Sequence, residues 1–449
     1  MKKNLLKTSI FHKIKYFLFH AYNRPSAKAL HIFVFFKSLF FNSKTNIFSE
    51  KMFLLKSPPN SMIYFNFFGR VVCIISNFIM IVLFNRFYNK ETFIDEGISQ
   101  EKASLIKEGN DESSWPLQSL KFFEPTNTNI IQKEFVDSLE KNYNYSLQLI
   151  SSKTNFEESE FWKTCRAEYK RQFLDKGTLN ISALENFRSK TYTQSAIISD
   201  LNYLKSNNRF NKIKALSLIN LYHKISEYTE LELLRQASDS YIGKNICLNY
   251  RGQRLSHTVL RHAYFCSQIL KFTQLDLDKK NIIVDIGGGY GSLARLLKYL
   301  YSKSTIIIFE VPEANILAAY FLKKNFPDAK IGQALDFKDI NSINIELIKQ
   351  FDFIILPETN IEKISNDTVD LCINTISLGE MTNNTQNNYL ENIERITKNY
   401  FYSVNRNKES LDYNAQGFYN LNFKKKWKTK LYNFSHTYHI EFLGKKVKD

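Results

Sequence analysis

The sequence predicts an α/β fold, in which a doubly wound, mostly parallel sheet follows an all-helical domain. A short apolar strand at 282–284 runs into four glycines within 287–291, and an apolar-periodic helix follows at 293–300. Apolar strands then alternate with helices, which is typical of a parallel doubly wound sheet. Between about 130 and 270, apolar residues recur at helical spacing instead, so this segment is predicted to be helical.

The later elements are predicted in order from the same patterns. Each strand is a short apolar run, and each helix has apolar residues three or four positions apart. The predicted strands are 305–309, 330–334, 351–356, 369–375 and 400–404, and the predicted helices between them are 313–325, 340–349 and 384–397. Two last runs, 428–434 and 437–443, are predicted to pair antiparallel at one edge of the sheet.

Length and charge divide the chain into four segments. Its 449 residues are enough for two or three domains. The first ninety hold fourteen Lys or Arg and one acid, Glu50, and so account for most of the net charge of +17. We expect a basic, Phe-rich segment at 1–90, a polar linker at 91–128, a helical cap or substrate domain at 129–271 and a cofactor-binding domain at 272–449.

Three interpretations of residues 1–90 stay open. The segment is an interfacial anchor of basic and aromatic residues, a marginal membrane helix, or upstream sequence that is not genuinely translated. Its apolar run at 71–84 is short for a membrane span, which needs about twenty residues, and an extension back to Met62 would bury Arg70. We favour the third interpretation slightly, because acid-poor Phe/Lys/Asn/Ile sequence is typical of a misplaced start in A/T-rich DNA.

Charge and cysteine content also indicate the partners and the compartment. Beyond residue 90 the chain is only mildly basic, so we expect no nucleic-acid partner. The five scattered cysteines lack C-x-x-C spacing, so they suggest neither a disulfide framework nor a metal site. No secretory signal is evident. We expect a cytoplasmic protein, with weak association to the inner face of the membrane, if there is any, through residues 1–90.

The glycine-rich turn predicts a nucleotide cofactor, and the acid before it indicates which one. Glycine lets backbone N–H groups approach a ligand closely. A carboxylate at Asp285 would repel the pyrophosphate of NAD, but it stabilises the ammonium and sulfonium of S-adenosylmethionine (SAM). The dinucleotide fingerprint also fits the spacing from Gly289 to Ala294, but that frame begins four residues after Asp285. The pattern therefore predicts a SAM site at Asp285, Gly287, Gly289 and Gly291.

Polar residues at the ends of later strands extend the predicted cofactor site. Glu310 ends the second strand, where an acid can accept hydrogen bonds from both ribose hydroxyls. The adenine is expected against the loop after a third strand, and two loops compete, 335–337 and 357–359. Asn374, at the end of the fourth strand, is expected to face the cofactor.

The methyl acceptor is expected at the same edge of the sheet. Methylation of a neutral hydroxyl needs a base, and Glu380 is the best-placed candidate. Alternatively, Glu380 is a structural acid that interacts favourably with the dipole at a helix start. The base is then His257, His262 or Asp336. The Asn/Asp-Pro-Pro-aromatic signature of nucleic-acid amino methylation is absent from 374–381, which favours an oxygen acceptor. Substrate binding is predicted for His257, Arg261, Ser377, Asn405 and Arg406.

Several stretches resemble a family of sugar O-methyltransferases from bacterial surface-polysaccharide gene clusters. They are 285–295, 310–313, 369–381 and 403–406, together with 250–254 and 260–261 before the sheet. The similarity covers roughly 155–445, and Glu310 stands where the family more often has Asp. The resemblance implies the class I methyltransferase fold and SAM-dependent methylation of a sugar hydroxyl, on a small-molecule or glycan substrate in polysaccharide assembly. Two other functions stay open: methylation of a lipid or a non-sugar metabolite, and SAM binding without turnover.

The first ninety residues can be tested by deletion. The predicted sheet, glycine turn and helical segment all lie beyond residue 128, so a chain that starts at Glu91 should fold and bind SAM as the full chain does. Circular dichroism and calorimetric titration with SAM would measure both properties. An insoluble truncated chain, or one that loses SAM binding while the full chain keeps it, would show that the segment belongs to the fold.

Overall fold

A computed structural model describes residues 93–95, 133–151, 156–175, 177–188, 222, 225, 233, 237–245, 247–250, 253–406, 426–434 and 439–447. The interpretations of residues 1–90 lie outside this part of the chain, as does all but a short strand of the predicted linker. No helix within the described ranges has the length and apolar character to cross a membrane.

The described elements before residue 273 combine helices with short strands. They are β1 (Phe93–Asp95), α1 (Lys133–Ser151), α2 (Glu160–Phe173), β2 (Leu174–Asp175), β3 (Thr178–Leu179), α3 (Ile181–Glu185), β4 (Cys247–Tyr250), β5 (Gln253–Leu255) and α4 (His257–Phe272). Antiparallel pairing joins β2 to β3, and β4 to both β1 and β5. The segment 129–271 is therefore not all-helical as predicted. Strands of two to four residues are too short to show an alternating pattern in the sequence.

The remainder of the described chain alternates strands and helices. Its elements are β6 (Ile282–Ile286), α5 (Ser292–Leu300), β7 (Thr305–Glu310), α6 (Pro312–Asn325), β8 (Ile331–Gln333), α7 (Ile345–Ile348), β9 (Phe353–Pro357), β10 (Val369–Thr375), α8 (Asn383–Ile396), β11 (Thr397–Arg406), β12 (Trp427–Phe434) and β13 (His439–Lys446). These bounds lie within a few residues of the predicted ones for every strand of the sheet. The apolar runs identify these strands because both of their faces are covered.

Eight strands form one mostly parallel sheet in the order β12-β13-β11-β10-β6-β7-β9-β8. Only β13 runs against the others, and it pairs antiparallel with β11 and β12. The chain moves outward from β6 to β7 and on to the edge strand β8, comes back to place β9 between β7 and β8, and then crosses to the other side of β6 with β10. The carboxyl ends of β6 and β10 therefore flank a topological switch point, where open α/β sheets bind their ligands. This arrangement fits the predicted class I fold.

Helices cover both faces of the sheet. Alternate residues of β6 point to opposite faces: Ile283 packs in the cluster that contains α4, α5 and α6, while Val284 and Ile286 pack in the cluster that contains α8. All three side chains are fully buried. Each contributes roughly 1.5–3 kcal/mol by leaving water, so this double-sided burial holds the central strand in register.

A buried ion pair connects the segment before the sheet to α4. The guanidinium of Arg188 donates to both carboxylate oxygens of Asp239 at 2.8 Å. Asp239 also accepts from Ser256 Oγ at 2.5 Å, and Ser256 Oγ caps α4 by accepting from the Val259 N–H at 3.1 Å. Burial alone would raise the pKa of Asp239, but Arg188 and Ser256 lower it to about 2. The start of α4 is thus fixed by a charged network.

Candidate functional site

The glycine turn between β6 and α5 has a backbone that requires glycine. Gly287 and Gly291 have φ values of 71° and 86°, a region that residues with a Cβ rarely adopt. At Gly287 a Cβ would also lie 2.2 Å from the Oγ of Ser377. Gly291 precedes the first residue of α5, so the turn delivers the chain directly into a helix N-terminus. A ligand at this turn would meet backbone and no side chain.

Asp285 is buried below this turn with both carboxyl oxygens unsatisfied. It is 1% exposed, and neither oxygen has a hydrogen-bond partner among the described residues. Burial raises its pKa to about 8, and the nearby Glu310 adds to this shift. An unpartnered buried carboxyl is costly to keep in a folded protein. Such a group is a strong indication of a cationic or hydrogen-bond-donating ligand.

Glu310 lies at the end of β7, where the sequence predicts it. Its Oε1 accepts from the Gly289 N–H at 3.2 Å and its Oε2 accepts from the Val311 N–H at 2.6 Å. Burial raises the pKa of Glu310 to about 7, although these two backbone hydrogen bonds lower it. The carboxylate therefore holds the glycine turn while its remaining lone pairs are available to a ligand.

The order of the strands in the sheet favours one of the two loops, 335–337 and 357–359, that could border the adenine. β9 pairs directly with β7, and Pro357 aligns with Glu310. The 357–359 loop is therefore the neighbour of Glu310, whereas 335–337 follows the edge strand β8. Asp336 also accepts from the Gln333 N–H at 2.7 Å in a capping box, so it has a structural role. Burial raises the pKa of Glu358, in the favoured loop, to about 8.

The end of β10 holds a closed network of amides and hydroxyls. Asn374 Nδ2 donates to the Ile286 carbonyl at 3.0 Å and to Ser377 Oγ at 2.6 Å. Its Oδ1 accepts from the Leu378 N–H at 3.2 Å and from Asn405 Nδ2 at 2.8 Å. With four partners, the Asn374 amide is saturated within the protein. The network joins the ends of β6, β10 and β11, and ligand contact by Asn374 and Asn405 stays a prediction.

Glu380 lies in a short 3-10 turn after this network. The turn spans Leu378–Glu380, and the residues on either side of it, Ser377 and Met381, line a cavity at the carboxyl edge of the sheet. Ile376, just before the turn, has a φ of 60°, which is rare for a β-branched residue. Strain of this kind concentrates at functional sites. The Glu380 carboxylate also lies near α2, since it adds to the burial that raises the pKa of Cys165 to about 11.

The α4 residues lie beside the glycine turn. His257 is the first residue of α4, and Arg261 is half-buried one turn later. His262 bonds through Nδ1 to the Oγ of Ser292, the first residue of α5, at 3.1 Å. Burial, together with Arg261, lowers the pKa of His262 well below its usual value. The side chain of Arg406, at the end of β11, lies outside the described residues.

Two of the predicted cofactor residues, Gly287 and Glu310, line a cavity together with Glu358 and Ser377. The same cavity is lined by α8 and by the chain at 156–166, a segment that the sequence analysis does not identify. Arg166 forms an ion pair with Glu313, 147 positions away in sequence. A local sequence pattern cannot predict a contact over that separation. The full lining is Ile150, Phe156, Glu157, Glu158, Ser159, Trp162, Arg166, Gly287, Phe309, Glu310, Val311, Glu358, Ser377, Met381, Thr385 and Tyr389.

No family model matches this chain, and no curated protein matches it either. Solved structures similar to it include a SAM-dependent methyltransferase from Aquifex aeolicus, 14% identical, over 40% of this chain and 88% of that one, with a TM-score of 0.28. Mitomycin 7-O-methyltransferase is 14% identical over 42% and 57% of the two chains, with a TM-score of 0.28. Phosphoethanolamine N-methyltransferase 2 of Haemonchus contortus, in complex with SAM, is 12% identical over 31% and 26%, with a TM-score of 0.21.

The raised pKa of Asp285 predicts a pH-dependent stability that needs no ligand. The native carboxyl stays protonated up to about pH 8, while an unfolded aspartate ionises near pH 4, so the native state binds more protons between about pH 4 and 8. The free energy of unfolding should therefore fall as the pH rises through this window. Asp285→Asn cannot ionise, so at pH 8 it should melt about 2–4 °C above the wild type. The difference should shrink toward pH 5.

Thermal melts followed by circular dichroism at several pH values would check this. Asp336→Asn is the matched control, because its carboxylate already has a backbone partner, and it should gain nothing at pH 8. A wild type that melts above Asp285→Asn at pH 8 would contradict the assignment of a strained, buried carboxyl.

Proposed function

We propose that this chain is a SAM-dependent methyltransferase that methylates a hydroxyl group of a sugar, in the assembly of a surface polysaccharide. The observation that carries the proposal is the unsatisfied, buried carboxyl of Asp285 under a glycine turn at the switch point of the sheet. The sequence resembles sugar O-methyltransferases, and the chemistry of this site supports the same choice.

The residues of the site fit SAM better than NAD. The two oxygens of Asp285 lack partners among the described residues and would accept from the ammonium of the cofactor. Glu310 would accept from the ribose hydroxyls, and Gly287 lets the turn pack directly against Ser377, where a Cβ would clash. A cationic ligand would lower the raised pKa of Asp285 and let it ionise against the ammonium, whereas a pyrophosphate at the same turn would raise that pKa further.

A hydroxyl acceptor is supported by the residues at the carboxyl end of β10. The sequence there is Asn374-Thr375-Ile376-Ser377, and it lacks the paired prolines and aromatic residue that amino-methylating enzymes use to hold a nucleobase. Neutral hydroxyls need a base as the C–O bond forms, and Glu380 is the acid that this strand end presents. The Asn374–Asn405 network would fix the turn that carries it.

The roles of the residues follow from these positions. SAM, when bound, supplies an electrophilic methyl group. Asp285 orients the amino-acid part, Glu310 orients the ribose, and the 357–359 loop borders the base. Glu380 takes the proton from the acceptor hydroxyl. The burial of Asp285 and Glu310 excludes water that would otherwise compete for these groups.

The cofactor contacts are tested by two isosteric variants. Asp285→Asn removes the charge that meets the ammonium, and Glu310→Gln weakens the acceptor of the ribose hydroxyls. A hydrogen bond to a charged group contributes about 1.5–3 kcal/mol, so each change should weaken SAM binding roughly ten- to a hundred-fold. Calorimetric titration measures this, with Asp336→Asn as the control that keeps wild-type affinity. Unchanged affinity in both site variants would exclude this placement of SAM.

The role of Glu380 is tested by separating binding from turnover. Glu380→Gln keeps the shape of the side chain but removes the base, so SAM affinity should hold while turnover falls about a hundred-fold or more. If turnover is unchanged, Glu380 is structural, and variants of His257 and His262 become the next to measure.

The acceptor is tested by transfer of a labelled methyl group. SAM with an isotopic methyl group should label nucleotide-sugars or glycan acceptors and should leave RNA and lipid extracts unlabelled. Label in lipid or RNA would contradict the proposed sugar acceptor. Tight SAM binding with no transfer to any acceptor would indicate a binding module without turnover.

A further inference from the structure

The segment Phe156–Arg166, which we call the covering segment, lines the same cavity as Glu310, Val311 and Glu358. Phe156 is buried and makes an edge-to-face contact with Tyr389 of α8, with ring centroids 5.3 Å apart. Trp162 also lines the cavity. A ligand in this cavity would therefore contact both the end of β7 and the covering segment.

One rim of the cavity is joined to the covering segment by an ion pair. Arg166 Nε donates to Glu313 Oε2 at 2.7 Å, and its second nitrogen reaches Glu313 Oε1 at 3.2 Å. Glu313 belongs to the first turn of α6, three residues after Glu310. The side chains of Arg166 and Glu313 are only 13% and 3% exposed. Such a pair is little screened by solvent and has the bidentate geometry that favours arginine over lysine.

The other rim is joined to the same segment by hydroxyl groups. Thr385 Oγ1 donates to the Glu157 carbonyl at 2.8 Å, and Thr382 Oγ1 reaches the same oxygen at 3.3 Å. Both threonines lie at the start of α8, directly after the turn that carries Glu380. The covering segment is therefore attached both to the β7–α6 side and to the β10–α8 side of the crevice.

We propose that the covering segment Phe156–Arg166 is a wall of the nucleoside site and that Arg166 is the positioning residue that holds it closed. This inference rests on the proposed function, because it takes the nucleoside to be that of SAM or of its product, S-adenosylhomocysteine. The segment spans the crevice between its two attachments, so a ligand that enters or leaves on this side must break at least one of them. Arg166 thereby sets the residence time of the nucleoside.

A gate and an ordinary structural ion pair differ in their effect on the rate constants of ligand binding. A residue that only supports the site would weaken binding when removed and would leave association no faster. A residue that holds a wall closed slows both entry and exit. Its loss therefore raises the association and dissociation rate constants together, while the dissociation constant changes less than either rate.

The experiment measures dissociation of radiolabelled SAM from the full chain after a chase with excess unlabelled SAM, and association by rapid filtration. Arg166→Met should raise the dissociation rate constant at least fivefold and should also speed association. Arg166→Lys keeps the positive charge but cannot form the bidentate pair with Glu313, so its dissociation rate constant should lie between those of the wild type and Arg166→Met. Arg171→Met is the matched control, because Arg171 is on the same helix but pairs at the surface with Glu168, and it should behave as the wild type.

The second attachment gives an independent measurement if Arg166→Met does not fold by circular dichroism. Thr385→Val removes the donor to Glu157 and should also speed exchange, whereas Thr385→Ser keeps the hydroxyl and should not. If folded Arg166→Met and Thr385→Val both exchange SAM at the wild-type rates, the gate is refuted while SAM binding stands. If the wild-type chain binds no SAM, the result contradicts the proposed function, and the gate, which rests on it, is contradicted as well.

Discussion

The parallel pairing of β6 with β7 on one side and β10 on the other is the constraint on which the site depends. It aligns Asp285 with Ile308 and with Ile373, and Ile286 with Phe309 and Asn374. Three strand ends thereby come to one place, although the residues are up to ninety positions apart in sequence. A shift of one residue in either pairing would turn Asp285 to the opposite face of the sheet. The fully buried isoleucines and valine of β6 make such a shift costly.

Acidic groups concentrate where this pairing ends. Asp285 and Glu310 are buried and Glu358 is half-buried, and the loss of contact with water raises the pKa of each. A structure selected for stability alone would replace such groups with apolar ones of similar volume. Nearby, Arg188 and Asp239 show the opposite arrangement, a buried charge pair with its hydrogen bonds satisfied. Asp239 therefore has its hydrogen bonds satisfied within the described residues, whereas the two oxygens of Asp285 do not.

Much of this could be predicted from the sequence, because the decisive signals are local. Apolar runs of three to seven residues identify the strands, and the glycines with Asp285 identify the turn. Glu310 follows from its place at a strand end. The choice between the loops 335–337 and 357–359 needed the order of strands in space, which no local pattern contains. The covering segment could be identified only from tertiary contacts. In the sequence, Arg166 has the pattern of an exposed cation on a polar helix, and its partner Glu313 is far away along the chain.

The position of β13 has a consequence for synthesis of the protein. β13 comes after β12 in the chain, yet it inserts between β11 and β12 and supplies both with partners. While a ribosome is still making residues 439–446, β11 has an open edge and β12 has no place in the sheet. Open edges of this kind invite pairing with other chains. The sheet can therefore close only after residues 439–446 have been made, and β11 keeps an open edge while the chain before them is synthesised.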